Sequence, residues 1–589
     1  MKRSRSGERP LGLRPRNRRY VEVFVLACIA ALCISELFLF QRVEGYGADS
    51  SIYIQLAENL VHKGSYEFNG KPHALYPPGF PMILALANLV TGGSYTVFVR
   101  LMALFGALSL LVGFYLLRQE QGRGLAVVVC LLLATSPYFF AMTTRTVGSD
   151  LPFFFVSALA LLTVKWLETE LRPWCRKFLV VVLFGAVVAA VGIRSAGVAL
   201  PAGFFLACVL RPSCTAGLHR AILPAMVAGL LVLVAWVGWS KQRSQPDYAS
   251  ETSTYMDQAM LKDPHQPDKG PASVADLIAR AAVNARAQAA HFSELVLRAP
   301  WINQAWYSPA VLVPLVVIMA GWAVSFWSFG SPWLAGYFAV YMAVYLLWPF
   351  DEGPRFLLPA FLLAFLYFYR GLEFTVRQMQ RVPGLAALAA LVSAALSGYV
   401  FFFVRAPGLQ IKDSAVAWLC AAVALAAVWL GVPGKVISRW TVGVAPRAAG
   451  SLGLGLLMAI GLYGQARMGH ANLRPDPTTY LHHAAWSSAQ WLRSQAAPRV
   501  VVMAQQAAII HRLTGLRTVR FPATANVELI RGTLRKHGVQ YLVVNDPVQH
   551  EYLLPGELER YQLLSARYPG LAQLAHRGPG CRIFRIQGD

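Results

Sequence analysis

Two carboxylates and two guanidiniums stand out, because each sits in a short polar segment cut into an otherwise apolar chain. Asp49 lies in GYGADSSIYIQLAENLVHKG, Asp150 in TTRTVGSD, Arg194 in GIRSAG and Arg355 in WPFDEGPRFLLP. A carboxylate can take a proton from a hydroxyl nucleophile. A guanidinium grips phosphate through forked, charge-assisted hydrogen bonds. A second carboxylate can position the first or hold a divalent cation through oxygen, and Asp150 is the candidate for that. Together the four would suit attack on a sugar carbon whose leaving group is a lipid phosphate. Bland roles compete with this one. Asp49 and Asp150 could cap helices, while Arg194 and Arg355 could snorkel to phospholipid headgroups.

The rest of the chain restricts what can position these groups. Across 589 residues, hydrophobic types make up 56% and charged types 14%, with a mean hydropathy of +0.47. A soluble protein of this length needs more surface charge, so lipid must solvate most of the chain. The net charge of +24 would suit a nucleic-acid binder, but the basic residues fall in short runs between apolar stretches. Membrane topology places them there, and nucleic acid is not expected as a partner. Residues 1–19 hold eight Lys or Arg and one Glu. They precede an apolar stretch from Tyr20 to Phe40 that is too long for a signal-peptide core. This predicts a cytoplasmic N-terminus and a retained first span. The eight Cys form no CxxC pair, so neither a disulfide framework nor a cysteine metal site is expected.

Further apolar stretches lie at about Tyr95–Leu117, Ala126–Phe140, Leu151–Leu167, Phe178–Leu210, Ala221–Trp239, Pro309–Phe326, Trp333–Trp348, Phe356–Tyr369, Leu385–Val404, Ala415–Leu430 and Ser451–Gly464. At 1.5 Å per residue, Phe178–Leu210 is too long for one crossing of a ~30 Å hydrocarbon core, so it reads as two spans meeting at Arg194. The total is about thirteen. The expected fold is an all-α polytopic membrane domain over 20–467 with polar loops at 42–94 and 241–305. A small α/β domain comes next over 468–589, where apolar runs (VVVMA, QYLVV) alternate with helical segments. HRLTGLRTVRFPA, His511 to Ala523, reads there as a strand and turn. An odd number of spans puts this domain opposite the N-terminus, outside the cytoplasm. The same threading gathers five segments on that outer face: the first loop, TTRTVGSD, GIRSAG, the 241–305 loop and PFDEGPR with Asp351, Glu352 and Arg355. Ionisable groups at span ends are costly against lipid and usually line a cavity or pair with one another.

Within the first loop, Ile52, Tyr53, Leu56, Ala57, Leu60 and Val61 fall on one helical face and Gly64 supplies a stop. A short amphipathic helix of this kind suits the membrane surface. The pattern GADSSIYIQLAENLVHKGSYEFNG…YPPGFPMILAL resembles the first periplasmic loop of membrane glycosyltransferases with the GT-C fold. The relevant branch holds the bacterial relatives of protein O-mannosyltransferases and the aminoarabinose transferases that modify lipid A. SD before the fourth span, PRFLLP after the ninth and the many-span layout extend the resemblance over roughly the first 370 residues.

The resemblance implies a polyprenyl-phosphate sugar donor, inversion at the anomeric carbon and an enzyme of the bacterial inner membrane working at its periplasmic face. Asp49 would activate the acceptor hydroxyl, and Asp150 would orient the acceptor or a metal. Arg355 and Arg194 would hold the lipid phosphate, with Tyr76 and Lys71 as further donor contacts. The acceptor could be a glycolipid, a cell-wall polymer or a protein. Relatives of the aminoarabinose type carry Lys just before the Pro pair, where this chain has Tyr76. That argues against an aminoarabinose donor, although Lys71 lies a few residues earlier.

Other readings have less in the sequence to support them. His482 and His483 are adjacent and so point apart on a helix, with no spaced ligands to complete a metal site. No P-loop, GxGxxG or GxSxG element occurs. A transporter or flippase for lipid-linked sugars predicts inverted repeats and mid-membrane charges, whereas the ionisable residues here collect at one surface. A non-catalytic envelope assembly protein with the same fold would retain every residue named.

Overall fold

A computed structural model describes residues 15–38, 47–169, 172–215, 217–244, 254–264, 266, 269–297, 309–351, 353–381, 458–470, 472, 483–546 and 556–587. The chain is mostly helical. Helix α1 (Pro15–Phe38) leads to the first loop, which holds α2 (Ala48–Lys63), a hairpin of β1 (Glu67–Phe68) and β2 (Lys71–Pro72), and α3 (Gly79–Thr91). Then come α4 (Tyr95–Gln121), α5 (Arg123–Ala134), α6 (Pro137–Thr144), α7 (Asp150–Leu167), α8 (Pro173–Ile193), α9 (Ala199–Leu210), the single turn α10 (Pro212–Thr215) and α11 (His219–Arg243). The second long loop contributes α12 (Tyr255–Met260) and α13 (Val274–Leu297), and after it come α14 (Pro309–Val324), α15 (Pro332–Leu347) and α16 (Leu358–Arg381).

Four helices among the described residues, α4, α7, α8 and α11, are long and apolar enough to cross a membrane. The pair α5–α6 makes a fifth if its halves, bent by 62°, count as one span. The expectation of about thirteen is not reproduced. The apolar part of α1 (Ala27–Phe38), the stretch Pro314–Trp327 that runs from α14 into the turn after it, α15 (Pro332–Leu347) and the stretch Ser195–Leu210 are shorter than a full crossing. The stretches expected at Leu385–Val404 and Ala415–Leu430 lie outside the described residues. The expected continuous span at Ala126–Phe140 is broken by Ser136–Pro137, where Pro137 cannot donate a helical hydrogen bond. Gln465 Nε2, on the helix over 458–470, donates to the carbonyls of Ala134 at 2.7 Å and Ser136 at 3.3 Å, so the break is satisfied inside the bundle.

Small residues bring the helices together where side chains would hold them apart. A Cβ on Gly336 of α15 would lie 2.2 Å from the Gly203 carbonyl of α9. A Cβ on Gly79, in the YPPGFP motif, would meet the Gly192 carbonyl at the end of α8 at 2.6 Å. The second contact docks the first loop onto the GIRSAG break. Helix α7 is buried almost all round, and its phenylalanines Phe153 and Phe154 are wholly enclosed.

The C-terminal region forms α17 (His483–Gln495), β3 (Val501–Ala504), α18 (Ala507–Thr514), β4 (Arg517–Arg520), α19 (Val527–His537), β5 (Tyr541–Asn545), α20 (Glu557–Arg567), β6 (Ala572–Gly578) and β7 (Cys581–Ile586). Its sheet has the order β4-β3-β5-β7-β6, parallel on the β4 side of β5 and antiparallel beyond it. This is the expected α/β layering. The segment from His511 differs from expectation, since His511 sits in the last turn of α18 and the strand begins only at Arg517. Apolar Ile509 and Ile510 lock that helix into the core beneath β3 and β5. His482 lies outside the described residues, and His483 opens α17.

Candidate active site

Residues from all five polar segments meet. Gly47, not Asp49, holds the cap position of α2, and no side chain caps that helix end. Asp49 Oδ1 accepts from the Tyr76 hydroxyl at 2.8 Å, and its Oδ2 accepts from Arg355 Nη2 at 2.9 Å. Likewise Ser149 holds the cap position of α7, and Asp150 pairs with Arg194. The capping and snorkelling roles are therefore replaced by two ion pairs. Both guanidiniums lie over the ring of Phe356, Arg194 at 5.3 Å and Arg355 at 5.2 Å from its centroid.

Local sequence explains each placement. Arg194 stands in extended backbone, φ −144° and ψ 139°, because α8 stops at Ile193 and a tight turn of Ser195–Val198 leads into α9. A side chain at such a break projects into the space between helices instead of along one. Arg355 lies in a similar short turn, Gly353–Phe356, ahead of α16. Tyr76 precedes two prolines, which disfavours helix at that position. Its N–H donates to His73 Nε2 at 3.2 Å, and its carbonyl accepts from the Tyr66 hydroxyl at 2.8 Å. Burial keeps His73 neutral, with its pKa pushed down to about 3, consistent with an accepting Nε2.

A second layer links the two pairs. The Tyr53 ring packs on Tyr76 at 4.6 Å, and its hydroxyl shares a 3.1 Å hydrogen bond with the Ser149 hydroxyl, next to Asp150. The Tyr53 hydroxyl role could not be read from the apolar helical face to which spacing assigned that residue. Tyr255, opening α12 in the second long loop, faces Tyr76 at 6.1 Å and Trp348 at 5.2 Å. Nothing in the sequence distinguished Tyr255 from its neighbours. Asp351 stands apart: it accepts from His291 of α13 at 2.8 Å and from the Gly353 N–H at 3.0 Å. Glu352 lies outside the described residues.

Burial pushes the Asp49 carboxyl up, but the Arg355 charge, the hydrogen bonds from Tyr76 and Arg355, and the Arg194 charge outweigh it and hold the group below the usual carboxylate range. Asp49 is thus ionised at neutral pH, and Tyr76, whose own pKa burial raises well above normal, remains a phenol that donates. Among the described residues no three His, Cys, Asp or Glu side chains gather as a metal-binding set. Asp150 is paired with the Arg194 guanidinium.

Lys71 is not part of this cluster. It lines a crevice with Asn69, Arg517, Thr518 and His537, at the contact between the hairpin and the C-terminal domain. Helix α2 is likewise held between α3 and α18 and does not simply lie on a membrane surface. Arg512 of α18 forms a two-pronged ion pair with Glu58, and Phe68 packs edge-on against His511 at 5.1 Å.

No protein-family model matches the chain, and no curated protein matches it by sequence. Solved structures do. The crystal structure of ArnT, an aminoarabinose transferase, from Cupriavidus metallidurans bound to undecaprenyl phosphate is similar over 96% of this chain and 98% of that one, with a TM-score of 0.50 and 15% identity. The apo structure of the same protein gives a TM-score of 0.49 at 15% identity, covering 97% and 98%. The archaeal oligosaccharyltransferase AglB from Archaeoglobus fulgidus, in complex with an inhibitory peptide and a dolichol-phosphate, gives 0.46 at 14%, covering 90% and 70%. The near-complete mutual coverage of the ArnT structure, together with the apolar helices, makes this chain a membrane protein with the GT-C fold.

Proposed function

We propose that the protein is a glycosyltransferase that moves a sugar from a polyprenyl-phosphate donor to an acceptor hydroxyl or phosphate at the periplasmic face of the bacterial inner membrane. The observation that carries this reading is the bonded set Tyr76–Asp49–Arg355 beside Asp150–Arg194, at the ends of apolar helices. A protein of the same fold binds undecaprenyl phosphate, which supports the donor class. The N-terminus lies in the cytoplasm, the C-terminal domain in the periplasm, and the full chain makes about thirteen crossings on this reading.

In the resting site each guanidinium is already paired with a carboxylate. An incoming lipid phosphate competes for Arg355 and Arg194 and draws them partly away from Asp49 and Asp150. That raises the basicity of Asp49 when the donor is in place, and Tyr76 keeps the carboxylate aimed. Asp49 then takes the proton of the acceptor hydroxyl as its oxygen bonds to the anomeric carbon. The bond from that carbon to the phosphate oxygen breaks, its electrons pass to the polyprenyl phosphate, and the two arginines offset the charge of this leaving group. Attack opposite the leaving group inverts the anomeric centre. The 241–305 loop would cover the donor on this reading, which the contact of Tyr255 with Tyr76 supports.

The test is transfer from a panel of polyprenyl-phosphate sugars by purified protein, wild type beside Asp49→Asn. Product from the wild type and its collapse in the folded variant are expected. Equal turnover in both would remove Asp49 from the chemistry.

A further inference from the structure

Trp348 closes α15 and is followed by Pro349, which has no N–H to offer the preceding turn. The last carbonyls of α15 therefore need donors from elsewhere. One face of α13 supplies them. Asn284 Nδ2 lies within hydrogen-bond distance of the carbonyls of Trp348 at 2.7 Å, Leu346 at 3.0 Å and Tyr345 at 3.3 Å. Arg280, one turn earlier, donates from Nη1 to the Leu347 carbonyl at 3.1 Å. His291 comes two turns after Asn284, on the same face, and bonds Asp351 at 2.8 Å. Asp351 also accepts from the Gly353 N–H, at the start of the turn that carries Arg355. Phe292 packs against Phe361, Phe365 and Phe368 of α16 and anchors the far end of α13.

Arg280 does more than cap α15. Its Nη1 also donates to the Ala259 carbonyl at 2.9 Å, and its Nη2 to those of Leu261 at 2.6 Å and Lys262 at 3.3 Å. These carbonyls belong to the end of α12 and the residues just after it. One guanidinium thus joins the carboxyl ends of two helices. A lysine, with a single nitrogen, lacks the fork that reaches both. Helix α12 is the one that Tyr255 opens, and a capping box of Thr254 and Asp257 fixes its start. Tyr255 packs in turn on Trp348 at 5.2 Å and on Tyr76 at 6.1 Å.

We propose that Arg280 is a positioning residue for sugar transfer, joining α12 to the end of α15 so that Tyr255 and the Arg355 turn are held in one register. Its part in transfer rests on the proposed function. Arg280 acts through other groups. On one side it holds α12, and with it the Tyr255 ring against Tyr76, which aims Asp49. On the other it holds Leu347, next to the Trp348 carbonyl bound by Asn284 and ahead of Asp351, which His291 binds. Tyr76 and Arg355, the two partners of Asp49, are thereby both braced from α13.

The experiment uses the full chain in phosphatidylcholine nanodiscs. It compares wild type with Arg280→Gln, Arg280→Lys and Arg286→Gln, the last removing an exposed charge elsewhere on α13. Hydrogen exchange in Arg280→Gln should quicken about tenfold in both α12 and the turn Gly353–Phe356, with α2 unchanged. Arg280→Lys should show a smaller change at both places, and Arg286→Gln none. Quickening in α12 alone, or equal quickening throughout the chain, would overturn the joint. In transfer assays Arg280→Gln should lower kcat/KM for the donor about tenfold, with part of the loss recovered in Arg280→Lys. Combined with Tyr255→Ala, its loss should fall short of the product of the two single losses, because one residue acts through the other. Losses that multiply, or unchanged transfer in Arg280→Gln, would overturn the positioning role. Linked quickening without transfer by the wild type from any donor would sink the transfer reading and leave the joint standing.

Discussion

Asp49 and Arg355 are separated by 306 positions in the chain and meet at 2.9 Å. The pair joins the first loop to the turn before α16. It also means that the carboxylate suited to take a proton and the guanidinium suited to hold a phosphate are, at rest, each other's partner. The Asp49 side chain is 34% exposed and that of Arg355 22%, so solvent reaches the pair and an entering anion can compete for it.

The first expectation concerns Asp49 itself. Asp49→Asn keeps the shape and can still accept from Tyr76, so the fold should hold while turnover falls by roughly 10²–10⁴, the usual share of a general base. Because the carboxyl is held below its ordinary range, the free enzyme keeps it ionised as pH falls through the usual carboxylate region. The acid limb of kcat/KM should accordingly lie below about pH 4. In the donor complex, with Arg355 drawn to the phosphate, the acid limb of kcat should move up. Coincident limbs would show that the donor does not loosen the pair.

Arg355→Lys and Arg355→Gln separate charge from geometry. A lysine keeps the charge but not the fork, so it should restore only part of phosphate binding. Loss of one charged hydrogen-bonding partner costs about 1.5–3 kcal/mol, which corresponds to a donor KM raised by roughly 10- to 100-fold. Arg355→Gln should also bring the carboxyl of Asp49 back up, shifting the acid limb of kcat/KM toward neutral pH. An unchanged donor KM in both variants would leave Arg355 with a purely structural role.

The contact between the second long loop and the α15–α16 turn should be pH-dependent at both ends. Burial lowers the His291 pKa, but hydrogen bonds and charges from Asp351 and Glu294 outweigh it and raise the group to about 9. Burial raises that of Asp351, and bonding to His291 and the Gly353 N–H more than offsets it, leaving the carboxyl depressed. A raised histidine contributes fully below its unfolded value of about 6.5 and loses that contribution as pH rises through about 9. A depressed carboxylate contributes above about 3.8 and loses it as pH falls through its lower folded value. Proteolytic protection of α13 should therefore be greatest between about pH 4 and 6.5, fall as pH rises from there through about 9, and fall again below about pH 4. His291→Gln should abolish the alkaline decline.

Helix packing offers a test independent of chemistry. Gly336→Ala puts a methyl 2.2 Å from the Gly203 carbonyl, and backbone on both sides leaves nothing flexible to give way. Overpacking of this kind costs about 1–3 kcal/mol, and α9 and α15 would have to separate. The measurement is thermal unfolding in detergent, where a clear drop in midpoint is expected. Gly185, whose Cβ would meet nothing, should accept Ala without loss.

Sequence alone determined the membrane class, a mostly helical chain with a small sheet toward its C-terminus, and the segments whose polar residues would meet. These come from periodicity, charge placement and chain length, which are local or additive properties. It also determined that the apolar run at Phe178–Leu210 must break near Arg194, because length alone forbids a single crossing. Tertiary structure decided the partners. Whether Asp49 caps α2 or pairs with Arg355 depends on where residues 306 positions apart come to lie, and no local signal encodes that. The same holds for Lys71, whose neighbourhood is set by an Asn69–Thr518 contact across 449 positions. It holds as well for Tyr53, which the helical period marks as apolar surface, while packing brings its hydroxyl to Ser149. The first loop therefore joins the Asp49 cluster to the C-terminal region: Asp49 and Tyr76 meet in the cluster, while the hairpin between them reaches β4 through Asn69.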